Sequence, residues 1–169
     1  AAISACEKAG KWRQAMQLLC EMDDGRVERN TITCNAALSA CEKAEELQPA
    51  LQLLSEMGDG LIEKNTITYN AALSACRTDG KWLQALQIFH QMVHDHVERD
   101  TITYNATLSV CEKRGLWRQG LLLLHEMARD LVERHSVTYN AAISACEKGG
   151  QWCQALQLLR EMSGVCLDV

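Results

Sequence analysis

The sequence predicts an all-α protein, a right-handed α-solenoid of stacked helix-turn-helix repeats, and three observations carry the prediction. The stretch Thr66-Ile67-Thr68-Tyr69-Asn70-Ala71-Ala72-Leu73-Ser74-Ala75-Cys76 has near copies beginning at Thr31, Thr101 and Ser136, a fixed period of 35 residues. Self-similarity at such a period marks a repeat architecture. Column agreement extends beyond that stretch, with cysteine at Cys6, Cys41, Cys76, Cys111 and Cys146 and methionine at Met22, Met57, Met92, Met127 and Met162. Within each copy, apolar residues recur at the three-and-four spacing of one helix face. The division that follows is a partial repeat at residues 1–30, full repeats at 31–65, 66–100 and 101–135, and a near-complete repeat at 136–169. Ala1 falls inside a repeat, so the chain is expected to be a piece of a longer protein, with any targeting segment out of view.

Each repeat reads as two helices. In the first, Tyr69, Ala72, Leu73 and Cys76 form the buried stripe, as helical periodicity requires. Thr33, Thr68, Thr103 and Thr138 are expected as N-caps, because a hydroxyl there can accept one of the unpaired amide protons. Gly10, Gly80, Gly115 and Gly150 are the stop signals, since glycine takes the left-handed conformation that closes a helix. Glu45 stands in that column once, so a looser turn is expected there. The second helix starts near Trp82 and turns Ala85, Leu86, Phe89 and Met92 to one side. Trp12, Trp117 and Trp152 share the Trp82 column, with Leu47 replacing them once; aromatic bulk there is expected to fill the wedge toward the next repeat. Pro49 lies in a first helical turn, where its missing N–H costs little. Short polar connectors such as Gly58-Asp59-Gly60 and Asp24-Gly25 join the repeats.

Composition narrows the function classes. With 47% hydrophobic and 23% charged residues and no long apolar run, the chain offers no helix for a bilayer. Of nine cysteines, five form the single column. Equivalent helices of stacked repeats sit roughly 8–10 Å apart, beyond ordinary disulfide reach, so these thiols are expected buried and reduced. No Cys-x-x-Cys occurs among the nine, which disfavours a zinc site. His90, His94 and His96 with Asp95 form one ligand-like cluster, in a single repeat only, and histidine near a helix end is favoured by the helix dipole anyway. No metal and no cofactor is expected. Neither a glycine-rich phosphate loop nor a repeated carboxylate pair is present, so the chain is not expected to be an enzyme. A formal net charge of −5 argues against strong nonspecific attraction to nucleic acid, and DNA is not an expected partner.

A second stripe is left over once the buried one is assigned: Ile67, Asn70, Ser74 and Thr78, with equivalents Ile32, Asn35, Ser39, Lys43; Ile102, Asn105, Ser109, Lys113; and Val137, Asn140, Ser144, Lys148. Stacking would align these as rows along a common surface. One explanation of the asparagine row is local capping or a bond to the neighbouring repeat's backbone. The other is a ladder of amides that, with a flat aliphatic residue in each repeat and a lysine in all but the one with Thr78, reads single-stranded RNA one base at a time.

The segments Ile67-Thr68-Tyr69-Asn70, Leu73-Ser74, Gly80 and Gln84-Ala85-Leu86-Gln87-Ile88-Phe89, with Met92, resemble the pentatricopeptide repeat in its plain 35-residue form, over the whole chain. The tetratricopeptide motif fits worse, having a period of 34 and a Trp-x-x-Leu-Gly-x-x-Tyr pattern that is missing here. The resemblance implies a sequence-specific single-stranded RNA binder in which a residue near the start of each repeat and the closing residue of that repeat jointly select a base. The first falls on Asn35, Asn70, Asn105 and Asn140, and the closing column on Asn30, Asn65, Asp100 and His135. Asn70 with Asp100 is then expected to favour uracil, Asn35 with Asn65 to accept cytosine or uracil, and Asn105 with His135 to carry only a pyrimidine lean. By the same resemblance Ile32, Ile67, Ile102 and Val137 sandwich the bases, and Lys8, Lys43, Lys113 and Lys148 approach phosphates; Thr78 breaks the lysine row. Arg29, Lys64, Arg99 and Arg134 stand where the family usually carries proline, and are expected to loosen the connector and add positive charge. Glu42, Glu112 and Glu147 sit beside the lysines, so the inner surface is expected to be near neutral. The family setting implies organellar RNA processing, stabilisation or translation, in the mitochondrion or chloroplast. A helical scaffold that binds a protein partner is the alternative from a different class.

Overall fold

In the computed structural model, residues 2–25, 27–77 and 81–164 are described; Thr78 and Gly80 lie outside them. The described residues form ten helices: α1 (Ala2–Lys8), α2 (Trp12–Asp24), α3 (Thr31–Lys43), α4 (Leu47–Asp59), α5 (Thr66–Ala75), α6 (Trp82–His94), α7 (Thr101–Arg114), α8 (Trp117–Arg129), α9 (Ser136–Lys148) and α10 (Trp152–Met162). Odd-numbered helices pack on one another in succession, α1 on α3 through α7 on α9, whereas α2, α4, α6 and α8 each pack on the odd helix before and the odd helix after. The result is an all-α solenoid with one continuous layer and one wedged layer. No helix is long and apolar enough to cross a membrane among the described residues.

The expected stripe makes the core. Tyr69, Ala72, Leu73 and Cys76 are fully buried, as are Ala85, Phe89 and Met92 on the second helix. Cys41, Cys76, Cys111 and Cys146 are buried free thiols. Burial pushes Cys41 up to about 11 and Cys76 and Cys111 up to about 12, so these sulfurs stay protonated and behave as small apolar groups. Trp117 reaches into the next repeat: a Cβ built on Gly149 would lie 2.5 Å from its Cδ1. Trp152, with no described repeat after it, is 70% exposed.

Three expectations are corrected. The N-caps are Asn30, Asn65 and Asp100, the closing column, and not the threonines. Thr33, Thr68 and Thr103 sit three residues inside, each accepting from the cap residue's own N–H and so completing a reciprocal capping box; His135 holds the cap position without a side-chain bond. Glu45 does not loosen its turn, because it takes φ 55° beside φ 61°, 63° and 70° at Gly10, Gly115 and Gly150. The connectors are shorter at their start than expected, since α4 continues through Gly58 and Asp59.

The second helices close by a device that no glycine announced. Leu61, His96 and Leu131 take φ of 52°, 54° and 56°. The next residue's N–H then bonds back to the methionine column, Ile62 to Met57 at 2.9 Å, Val97 to Met92 at 2.8 Å and Val132 to Met127 at 2.9 Å. That is the Schellman closure, with the accompanying hydrophobic contact.

Gly120 stands in the α8 column held elsewhere by Ala15, Ala50 and Ala85. A Cβ there would meet only Ala145 and Leu108, both at 3.8 Å, ordinary contact. Gly120→Ala is therefore expected to raise stability by about 1 kcal/mol, the helix-interior difference between the two residues, read as a higher urea midpoint at unchanged m-value.

Candidate nucleic-acid interface

The two columns expected to read bases are joined to each other by hydrogen bonds. Asn70 Nδ2 donates to Asp100 Oδ1 at 3.1 Å, and Asn35 Nδ2 donates to Asn65 Oδ1 at 3.3 Å. The same closing-residue oxygens accept the capping N–H bonds of Thr103 at 2.8 Å and Thr68 at 3.1 Å. From the next repeat a buried hydroxyl comes back to each amide oxygen: Thr68 to Asn35 at 2.7 Å, Thr103 to Asn70 at 2.7 Å and Thr138 to Asn105 at 2.9 Å. Asn35, Asn70 and Asn105 are thus engaged, and the first two are half used. A carboxamide carries two N–H donors and two acceptor sites; the bonds at Asn35 and Asn70 take one of each. His135 lacks the corresponding bond to Asn105, so that pair is not brought together among the described residues. Asn140 is exposed, and the position that would close its repeat lies beyond Val169.

Around these amides the aliphatic row is left bare. Ile32, Ile67, Ile102 and Val137 are 78%, 63%, 61% and 63% exposed, unusual for residues this large at every repeat. Asn105, Ser109 and Glu112 of one repeat share a shallow groove with Val137, Asn140 and Ser144 of the next. Of the lysine row, Lys43 Nζ donates to the Glu7 carbonyl at 3.1 Å, Lys113 Nζ to the Arg77 carbonyl, and Lys148 Nζ lies 3.5 Å from Glu112. These ammonium groups rest on the end of the preceding first helix, where the dipole favours a cation. Lys8 is exposed.

The basic column before the closing residue adds little free charge, contrary to expectation. Arg29 bridges Asp23 and Glu56, Lys64 pairs with Asp95 at 3.4 Å, and Arg99 bridges Glu126 and Asp130. Arg134 instead lies over the Tyr139 ring at 5.7 Å. Tyr69 and Tyr104 hydroxyls donate to the same Asp95 and Asp130 carboxylates. The connector is therefore tied down by ion pairs in place of a ring. This set was not foreseen, yet the columns carried a signal: Tyr69 goes with Asp95 and Tyr104 with Asp130, whereas Cys34 goes with Gly60. Asp95 is drawn into this network by Tyr69, Lys64 and Gln91, with His94 Nδ1 at 3.2 Å, so the histidine cluster has its one carboxylate already committed.

Burial opposes ionisation of Asp95, Asp100 and Asp130, but the bonds just named outweigh it and hold all three carboxyls below their usual value. Depressed carboxyls contribute stability that is complete above the unfolded value of about 4 and lost as pH falls through the folded values. The urea midpoint is expected to hold from pH 7 to about 5 and to fall below about 4. Asp100→Asn, which copies residue 65, should fall less steeply with acid.

Comparison with known proteins places this geometry in context. A family model described as pentatricopeptide repeat domain matches residues 17–78 and 52–114, and one described as PPR repeat matches residues 1–27, 102–130 and 137–165. No curated protein matches the chain in sequence. Among solved structures, the PPR domain of Arabidopsis thaliana protein-only RNase P 1, in complex with tRNA, superimposes with a TM-score of 0.81 at 15% identity, covering 99% of this chain and 89% of that one. The pentatricopeptide repeat protein PPR10 from maize gives 0.72 at 23% identity, covering 99% of this chain and 24% of its own. PPR10 in complex with an 18-nt psaJ RNA element gives the same score and identity over 28% of its chain. The chain thus spans about a quarter of the maize protein, and at these identities the likeness is one of fold.

Proposed function

The chain belongs to the pentatricopeptide repeat family, with matches along almost its whole length, and from that premise we propose that it binds single-stranded RNA, one base per repeat, with a pyrimidine lean. The observation that carries this reading is the coincidence, in the two repeats at 31–65 and 66–100, of a bare aliphatic side chain with a half-satisfied amide bonded to its closing residue, the aliphatic row itself continuing through Ile102 and Val137. The aliphatic row gives base faces an apolar surface, and the remaining donor and acceptor meet a base edge, the chemistry used by one-base-per-repeat modules. Support also comes from the similar structures that hold tRNA and psaJ RNA.

The base preference follows from what each pair has left. Asp100, held ionised, can only accept, so with Asn70 it suits the N3–H of uracil. Asn65 spends its oxygen on Thr68 and Asn35 and keeps its amide protons, which suit acceptors on cytosine or uracil. Asn105 without a bond from His135 selects less. In this reading Lys8, Lys43, Lys113 and Lys148 approach the phosphates, and the chain serves as a binding array without catalysis of its own, in organellar transcript processing, stabilisation or translation.

The test titrates oligo-U, oligo-C and oligo-A at two salt concentrations. Oligo-U and oligo-C should bind more tightly than oligo-A, and Asn70→Ala should lower oligo-U affinity by about 1 kcal/mol, the worth of a neutral hydrogen bond. With at most four phosphates engaged, the salt slope should be about −3. Equal binding of all three oligomers, or an Asn70→Ala variant indistinguishable from wild type, overturns base reading and leaves a protein-binding scaffold, the class an acidic solenoid suits next best.

A further inference from the structure

Thr68, Thr103 and Thr138 are completely buried, and each belongs to the repeat after the amide it touches. Their hydroxyls lie 2.7, 2.7 and 2.9 Å from Asn35, Asn70 and Asn105 Oδ1. A hydroxyl has one proton to give. At Thr103 the alternative acceptor, Asp100 Oδ1, lies farther off at 2.9 Å and already receives the Thr103 N–H and Asn70 Nδ2. The proton therefore goes to the amide. At Thr68 the same comparison is 2.7 Å to Asn35 against 3.0 Å to Asn65.

That one proton removes an ambiguity. An asparagine amide can turn end for end at little steric cost, exchanging its donor edge for its acceptor edge. Turned over at Asn70, its oxygen would face the Asp100 carboxylate, a repulsive contact, and its NH2 could donate to the hydroxyl only if the Thr103 proton moved to Asp100 Oδ1, which already accepts two bonds. At Asn105 the Thr138 hydroxyl acts alone, because His135 makes no bond to that amide.

We propose that this buried threonine column is a positioning element for base recognition: the hydroxyl supplied by each following repeat fixes which edge the reading amide presents to RNA. The inference rests on the RNA-binding proposal above. It makes each base-reading unit a product of two adjacent repeats, and ranks them: both bonds hold Asn35 and Asn70, and one holds Asn105. Selectivity should decline in that order.

The test uses the 169-residue chain with Thr103→Val, which removes the hydroxyl at similar shape, and Thr103→Ser, which keeps it. Asn70 with Asp100 is the pair that separates uracil from cytosine, so the oligo-U to oligo-C affinity ratio reports on it. The ratio should fall by about fivefold in Thr103→Val, the factor one neutral hydrogen bond contributes, and return in Thr103→Ser. Thr66→Val is the matched control: it removes another bond between repeats, from the Thr66 hydroxyl to the Glu98 carbonyl at 2.9 Å, without touching an amide, and should leave the ratio in place. A readout free of RNA accompanies it. The two Nδ2 proton signals of Asn70 should be separate and slow to exchange in wild type and Thr103→Ser, and should converge and exchange faster in Thr103→Val. If Thr103→Val keeps the wild-type ratio and amide signals, or if Thr66→Val lowers the ratio equally, positioning is refuted. Should wild type itself bind oligo-U, oligo-C and oligo-A alike, the RNA reading falls and the amide signals alone decide whether the threonine orients Asn70.

Discussion

Truncating Phe89 to alanine is expected to cost about 3–5 kcal/mol, the range for a fully buried aromatic side chain in a well-packed interior. Phe89 has no exposed surface, and its ring meets Tyr104 of the following repeat edge-on, with centroids 5.2 Å apart and planes at 69°. The Arg99 guanidinium lies 4.8 Å from the same ring. The alanine variant therefore loses buried area, an aromatic pair and one wall around an ion-pair network. Most of that loss falls on the contact between α6 and α7, which joins two repeats. In a solenoid, stability is a sum of repeat and nearest-neighbour contributions, so cutting one junction should split the unfolding transition as well as lower its midpoint. Urea unfolding followed by circular dichroism should show an earlier, broader transition with a reduced apparent m-value. Phe89→Leu should cost only about 1–2 kcal/mol, because most of the volume stays. A Phe89→Ala midpoint close to wild type would mean that this junction is not where the array is held together.

Phe89 was legible in advance, and the reason separates what the sequence discloses from what it hides. A buried stripe repeats within one helix, so Tyr69, Leu73, Phe89 and Met92 declare themselves by period alone. The capping residue did not, because Asn30-Thr31-Ile32-Thr33 offers two cap-competent side chains three apart that bond each other's backbone. Reciprocity of that kind conceals which partner stands outside the helix. The consequence reaches the candidate site: the closing residues Asn65 and Asp100 have a structural duty as caps besides any contact with RNA. Asparagine and aspartate at those positions are thus doubly constrained, whereas His135, which caps nothing by its side chain, also makes no bond to Asn105, which is held by Thr138 alone. The left-handed residues Leu61, His96 and Leu131 were hidden for another reason, since no glycine marks them. Their signal is the five-residue step from the methionine column to Ile62, Val97 and Val132, which is visible only once the closing bond is known.

Removing Arg99 is the second large effect expected, about 3 kcal/mol for Arg99→Ala, the low end of what deleting one partner of a buried ion pair costs. The low end applies because Arg99 is only 9% exposed whereas Glu126 and Asp130 are 27% and 25% exposed, so water can partly solvate the carboxylates left behind. The array contains its own comparison. At the equivalent position Lys64 makes one contact, 3.4 Å to Asp95, and Gln91 stands where Glu126 does. Arginine goes with glutamate and lysine with glutamine in these columns, as a planar fork between two carboxylates requires and a point charge does not. Arg99→Lys should therefore lose about 1–2 kcal/mol despite keeping its charge, since it gives up the second carboxylate and the stacking on Phe89 and Tyr104. The Lys64→Arg, Gln91→Glu double variant should recover a comparable amount at the preceding junction. Screening by salt weakens exposed pairs and spares buried ones, so the Arg99→Ala loss should persist at 1 M sodium chloride; a loss that vanishes there would place the pair at the surface in solution. Because Arg99 directly precedes Asp100, Arg99→Ala should also blunt uracil preference while Asn70 and Asp100 remain in place. The clamp residue Arg99 and Asp100 of the proposed reading pair are neighbours in one connector, so loosening the first should disturb the second.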